Sequence, residues 1–136
     1  MKIHAIILCW TGQEENARNI ARSLVGHVHR LTVIDGSESP AAVIENCEWI
    51  KIAPESYCGG KVEVAFKRFD GDLFLQIAAD LSYSSWPQLV RRCVDSFTSI
   101  PSLGIWAPDI YYTPWVTDDV VIARTDNPEW LAIQNG

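Results

Sequence analysis

Asp80 is the residue of this chain best placed to do chemistry. It follows the apolar run Leu73-Phe74-Leu75-Gln76-Ile77-Ala78-Ala79, and a helix signal opens a few residues later. A carboxylate there is carried on a buried strand and presented at its carboxyl end, where ligands bind in open α/β sheets. It is a candidate metal ligand or phosphate-side group, and a solvated strand-end aspartate fits the same residues. One carboxylate holds Mn²⁺ or Mg²⁺ weakly unless diphosphate oxygens and water complete the shell. A divalent cation is therefore expected only with a nucleotide diphosphate bound.

Three other segments carry candidate groups. Cys9-Trp10-Thr11-Gly12 runs from an apolar stretch into a helix start, where free N–H groups and the helix dipole favour an anion. It has a single glycine and lacks the dinucleotide fingerprint, so an ordinary turn capped by Thr11 also fits. Asp35-Gly36-Ser37 offers a carboxylate for a nucleobase or ribose, in a sequence that is equally good turn chemistry. Cys58-Gly59-Gly60-Lys61 fails the Walker pattern, with no Ser or Thr after the lysine. Lys61 beside a helix N-terminus suits a phosphate, and it suits equally a solvated lysine on a flexible loop. The aromatic run from Trp106 to Trp115 could stack on a sugar or base, or seal a sheet edge. No nucleophile–base pair stands out.

These groups need a scaffold, and the periodicity supplies one. Ile3–Cys9 and Arg30–Asp35 are short, β-branched apolar runs suited to strands buried on both faces. Between them Ala17, Ile20, Ala21 and Leu24 fall at helical spacing, with Thr11 and Glu14 spaced as a capping box and Gly26 as the stop. Ser39-Pro40 reads as a helix start with Val43, Ile44 and Cys47 on its apolar face. Trp49–Ile52 follows as a strand, then a helix from Val62 to Phe69, then the strand that ends near Asp80. Ser85 and Gln88 have capping-box spacing before a helix that stops short of Pro101. Leu103–Ala107 and Asp119–Ala123 are further strand candidates, and Pro128 opens one more helix. The order predicts an α/β fold: an open, mainly parallel sheet with right-handed crossovers and helices on both faces.

At 136 residues the chain fits one domain, 1–136, with 48% hydrophobic and 21% charged residues. A net charge of -6 with no basic tract excludes sequence-independent nucleic-acid binding. It leaves room for a nucleotide, whose charge one or two cations and backbone N–H groups can meet. No run is long enough to be a transmembrane segment, and Met1-Lys2 leads straight into a strand without a signal-peptide pattern. The four cysteines are widely spaced and read as thiols in a reducing compartment, so the expected location is cytoplasmic.

Taken in order, the segments resemble the nucleotide-binding half of GT-A glycosyltransferases, a Rossmann-like class, and in particular the inverting family of cellulose-synthase and rhamnosyltransferase type. Ile6–Thr11 is similar to the family's first strand and its end. Val33-Ile34-Asp35-Gly36-Ser37 resembles the second-strand motif, whose Asp contacts the base. Gly59-Gly60-Lys61 resembles the approach to a helix with a basic residue. Gly71 to Asp80 is similar to the passage that ends in Asp-x-Asp, and Leu103–Pro108 to the strand after it. The resemblance implies nucleotide-sugar binding by Cys9, Trp10, Thr11, Asp35 and Lys61, with Asp80 at the metal. It implies a transferase that moves a sugar from the donor to a sugar or other hydroxyl acceptor. Ala78 stands where the family has its first Asp, and Asp118 and Asp119 come too early to be the catalytic base, so catalytic residues are unassigned. The chain is then either a piece truncated at its C-terminus or a minimal relative.

Two other readings remain open. One is a non-catalytic nucleotide-binding or protein-interaction module of the same fold. The other is a flavodoxin-like domain, which strand order 2-1-3-4-5 would mark; the glycosyltransferase order is 3-2-1-4.

Overall fold

The structure is a computed structural model that describes residues 1–108. The strand expected at Asp119–Ala123, the helix start at Pro128 and most of the aromatic segment after Trp106 lie outside the described residues. Two compact units divide the chain, Met1–Pro87 and Gln88–Gly136.

The first unit contains four parallel strands in the order β3-β2-β1-β4. They are β1 (Ile3–Cys9), β2 (Arg30–Asp35), β3 (Glu48–Lys51) and β4 (Leu73–Ala78). The helices are α1 (Glu14–Leu24), α2 (Cys58–Arg68) and α3 (Trp86–Ser99). β1 and β2 match their sequence-derived bounds, and β3 begins one residue early. The order departs from the flavodoxin-like one, since β2 rather than β1 separates β3 from the rest.

β1 is buried at all seven positions. It pairs with β2 from His4 opposite Arg30 to Cys9 opposite Asp35, and with β4 from Ile3 opposite Leu73 to Leu8 opposite Ala78. Ile6, Leu8 and Ile34 form one face, covered by Ala65, Val62 and Val64 of α2. Side chains alternate along a strand, so Ala5, Ile7, Cys9, Val33 and Asp35 lie on the opposite face. Right-handed crossovers send β1-α1-β2 one way across the sheet and β3-α2-β4 back the other way. α1 therefore covers that second face with its buried stripe Ala17, Ile20, Ala21 and Leu24. Burying an Ile or Leu supplies about 2 kcal/mol. The half-exposed pairs of Glu48 with Arg30 and Arg68 supply at most about 1 kcal/mol each. Apolar burial on both faces thus holds the sheet, and the ion pairs trim its rim.

Several local expectations fail for identifiable reasons. The capping box does not form: Gln13 is the N-cap, and no side chain caps it. Glu14 instead accepts the Gly12 N–H and the Ser39 hydroxyl. α1 does end as expected, with Gly26 at φ +81°. No helix joins β2 to β3. Val43 is fully exposed, Asn46 takes φ +59°, and Ile44 pairs with Cys47 in an isolated antiparallel bridge. So short a helix needs a buried face to survive, and here Val43 is exposed while Ile44 and Cys47 are only partly buried. α2 starts at Cys58, placing the Gly-Gly pair inside its first turn.

The second unit holds α3 from Gln88 onward, with Leu89, Val90 and Cys93 buried at helical spacing. Leu103–Ala107 is not a strand. The Leu103 N–H bonds the Ile100 carbonyl in the turn that ends the helix, so the segment starts committed to that turn.

One core residue is titratable. His4 is fully buried; its Nδ1 accepts the Asp70 N–H at 3.0 Å, so Nε2 carries the proton and donates to Thr32 Oγ1 at 2.8 Å. Burial first, and Arg30 second, lower its pKa from 6.5. The folded state thus resists a proton that the unfolded chain accepts. Stability is full above about pH 6.5 and declines as pH falls below it. Thermal melts from pH 7.5 to pH 5.5 are expected to show this decline in the native chain and a flatter profile in His4→Gln.

Candidate functional site

The carboxyl edge of the sheet gathers the expected residues, in two groups. Asp35 ends β2, opposite Cys9 on one side and Lys51 on the other. It is completely buried. Its Oδ1 accepts the Ser37 N–H at 2.7 Å, and its Oδ2 accepts the Trp49 indole N–H at 2.9 Å and the Lys51 ammonium at 2.8 Å. Lys51 also donates to the Ser37 carbonyl and hydroxyl. Burial pushes the Asp35 pKa up, but these donors, Lys51 foremost, outweigh it and hold the group at about 2. Asp35 is thus an ionised carboxylate with both oxygens committed to the protein. In this structure it shapes the loop after β2 and presents no face to a ligand.

Cys9 shares that environment. Burial first, and the Asp35 carboxylate second, push its thiol up to about 12. It is a neutral core group whose weak Sγ contact goes to the Trp10 carbonyl. Thr11 is exposed in the turn before α1.

Trp10 and Lys61 form the second group. Lys61 stands in the first turn of α2 and is 5% exposed. Its Nζ donates to the Ser56 carbonyl at 3.0 Å and lies 5.9 Å from the centre of the Trp10 ring. Among the described residues no carboxylate pairs with it. The side chain passes over Gly36, where a Cβ would stand 3.1 Å from Lys61 Cε and 3.4 Å from its Nζ. A larger residue after Asp35 would therefore press on the flexible end of Lys61. No acidic residue occupies the first turn of α2 and no side chain caps it. A Cβ at Gly59 would touch nothing, so the helix start is open. A nearly buried ammonium, an uncapped helix N-terminus and an indole face make this part of the edge electropositive and partly aromatic.

Asp80 is exposed on the turn after β4. Asn16, a residue that sequence reasoning did not single out, donates from Nδ2 to the carbonyls of Ala79 and Leu81 and ties this turn to α1. Among the described residues no three His, Cys, Asp or Glu side chains cluster as a metal site. Asp80 would hold a cation only with ligands from a diphosphate and water. Trp49 and Lys51 were also missed. Their alternation on a strand set beside one ending in Asp was the available signal.

No family model, curated protein or solved structure matches the chain. No helix among the described residues is long and apolar enough to cross a membrane.

Asp35→Asn places an amide N–H₂ among donors and should cost about 2–4 kcal/mol of unfolding free energy in urea titrations. The native contribution of Asp35 should be present above about pH 4 and disappear toward pH 2, a window well below that of His4. Gly36→Ala should be milder, at about 1 kcal/mol, because Lys61 is a flexible neighbour that can move aside.

Proposed function

We propose that this chain is the nucleotide-binding part of a GT-A-like glycosyltransferase, taking a nucleoside diphosphate sugar at the carboxyl edge of its sheet. Lys61 carries the proposal. A buried ammonium whose hydrogen bond goes to a carbonyl, with no carboxylate paired to it among the described residues, is costly to keep. A diphosphate beside it, on the open N-terminus of α2, offsets that cost. Trp10 then offers an aromatic wall to the sugar or base, and Asp80 would help hold a Mn²⁺ or Mg²⁺ that neutralises diphosphate charge. The transferred sugar goes to an acceptor hydroxyl, and the ammonium stabilises the charge that builds on the departing diphosphate.

The strand order β3-β2-β1-β4 supports this reading, since it is the order the resemblance calls for. The base contact assigned to Asp35 becomes an indirect role: the residue holds the Gly36–Ser37 loop against Lys61. A second reading, a nucleotide-binding module without transfer activity, is favoured by Ala78. It ends β4 opposite Leu8 and leaves Asp80 as the one carboxylate of the motif.

Calorimetry with nucleoside diphosphates and their sugars, with and without Mn²⁺, tests the proposal. Lys61→Met should weaken binding at least tenfold, about 1.4 kcal/mol, while leaving stability equal or higher. Asp80→Ala should remove the Mn²⁺-dependent part alone. If no nucleotide binds the native chain, or Lys61→Met binds as the native chain does, the proposal fails. Sugar release from a bound donor would separate enzyme from module.

A further inference from the structure

A recess of different chemistry lies on the α1 side of the sheet. It is a cleft of about 440 Å³ between α1 and the loop from Leu81 to Pro87. That volume is within the range of small-molecule sites. Charged residues make up 21% of the chain, yet among the described residues none lines this cleft. Its polar lining is amide and hydroxyl: Asn16 and Asn19 on the helix, Ser82 and Ser84 on the loop. Asn19, Ser82 and Ser84 are exposed, and Tyr83 and Trp86 pack their rings 5.8 Å apart beside them. Asn16 holds the loop wall through the Ala79 and Leu81 carbonyls, so the cleft is built before a ligand arrives.

We propose that this cleft binds a neutral saccharide of one or two rings. A phosphate, nucleotide or metal needs charge that the lining lacks, and a lipid needs an apolar wall. A sugar ring offers hydroxyls that both donate and accept, which amides and serine hydroxyls match in both senses. Its flatter C–H face suits an aromatic surface. The loop begins at the residue after Asp80, so a saccharide here would sit on the acceptor side of the diphosphate. That role rests on the proposed nucleotide site; the binding itself does not.

The test is an amide NMR titration of the full chain with glucose, N-acetylglucosamine and cellobiose, without nucleotide. The expected result is saturable shifts confined to residues 16–23 and 81–87, with affinity on the order of 1 mM. Asn19→Leu and Ser84→Leu, both at exposed positions, should weaken it at least tenfold with the rest of the spectrum unchanged. Lys61→Met should bind the saccharide as the native chain does. No shifts with any of the three at about 50 mM, or shifts scattered outside the cleft, would overturn the site. Saccharide binding in a chain that binds no nucleotide would uphold the site and overturn its acceptor role.

Discussion

The carboxyl edge of the sheet depends on one buried charge. Asp35 is fully enclosed at the end of β2, and a carboxylate there is tolerable only because Lys51, Trp49 and the Ser37 N–H all point at it. Those donors come from β3 and from the loop that follows β2. The same interaction therefore fixes the register of the edge strand and the path of the chain beyond Asp35. Glu14 adds a tether, joining the start of α1 to the loop through Ser39. The result is a rigid rim, built where a parallel sheet offers its ligand crevice.

Lys51, an exposed residue, satisfies Asp35, and among the described residues no carboxylate pairs with the buried Lys61. Lys61 passes over Gly36 and stops beneath Trp10, with a carbonyl as its hydrogen-bond partner. A protein seeking stability alone would place an apolar side chain there, and it would gain by doing so. An ammonium kept there fits the proposed anion site, and the uncapped start of α2 beside it has the same sign of charge. The two features reinforce each other over a short distance. Asp80 lies on a separate turn after β4, which Asn16 pins to α1.

Much of this scaffold was legible in the sequence, because β1 and β2 are short, largely apolar, β-branched runs that suit buried strands. Such runs admit few alternatives. The helix expected after Pro40 was a false signal: Val43, Ile44 and Cys47 have helical spacing, but Val43 is fully exposed and Ile44 and Cys47 are only partly buried, as partners in a β-bridge. The capping box failed for a related reason, since Glu14 found Ser39, a partner 25 residues away that local spacing cannot reveal. The candidate site was legible by position and not by role. Asp35 and Lys61 were both singled out, yet the carboxylate that read as a ligand contact is enclosed. The lysine that also read as a solvated loop residue is the one held inside. Their partners, Trp49, Lys51 and Gly36, become visible only once the strand register is known.

The central claim is that Lys61 and the start of α2 form an anion site, and inorganic pyrophosphate probes it without assuming any base or sugar. In an amide NMR titration, the account predicts saturable shifts at Cys58, Gly59 and Gly60 and at the indole of Trp10, all lost in Lys61→Met. An identical response in native chain and variant, or none at those residues in either, would contradict it.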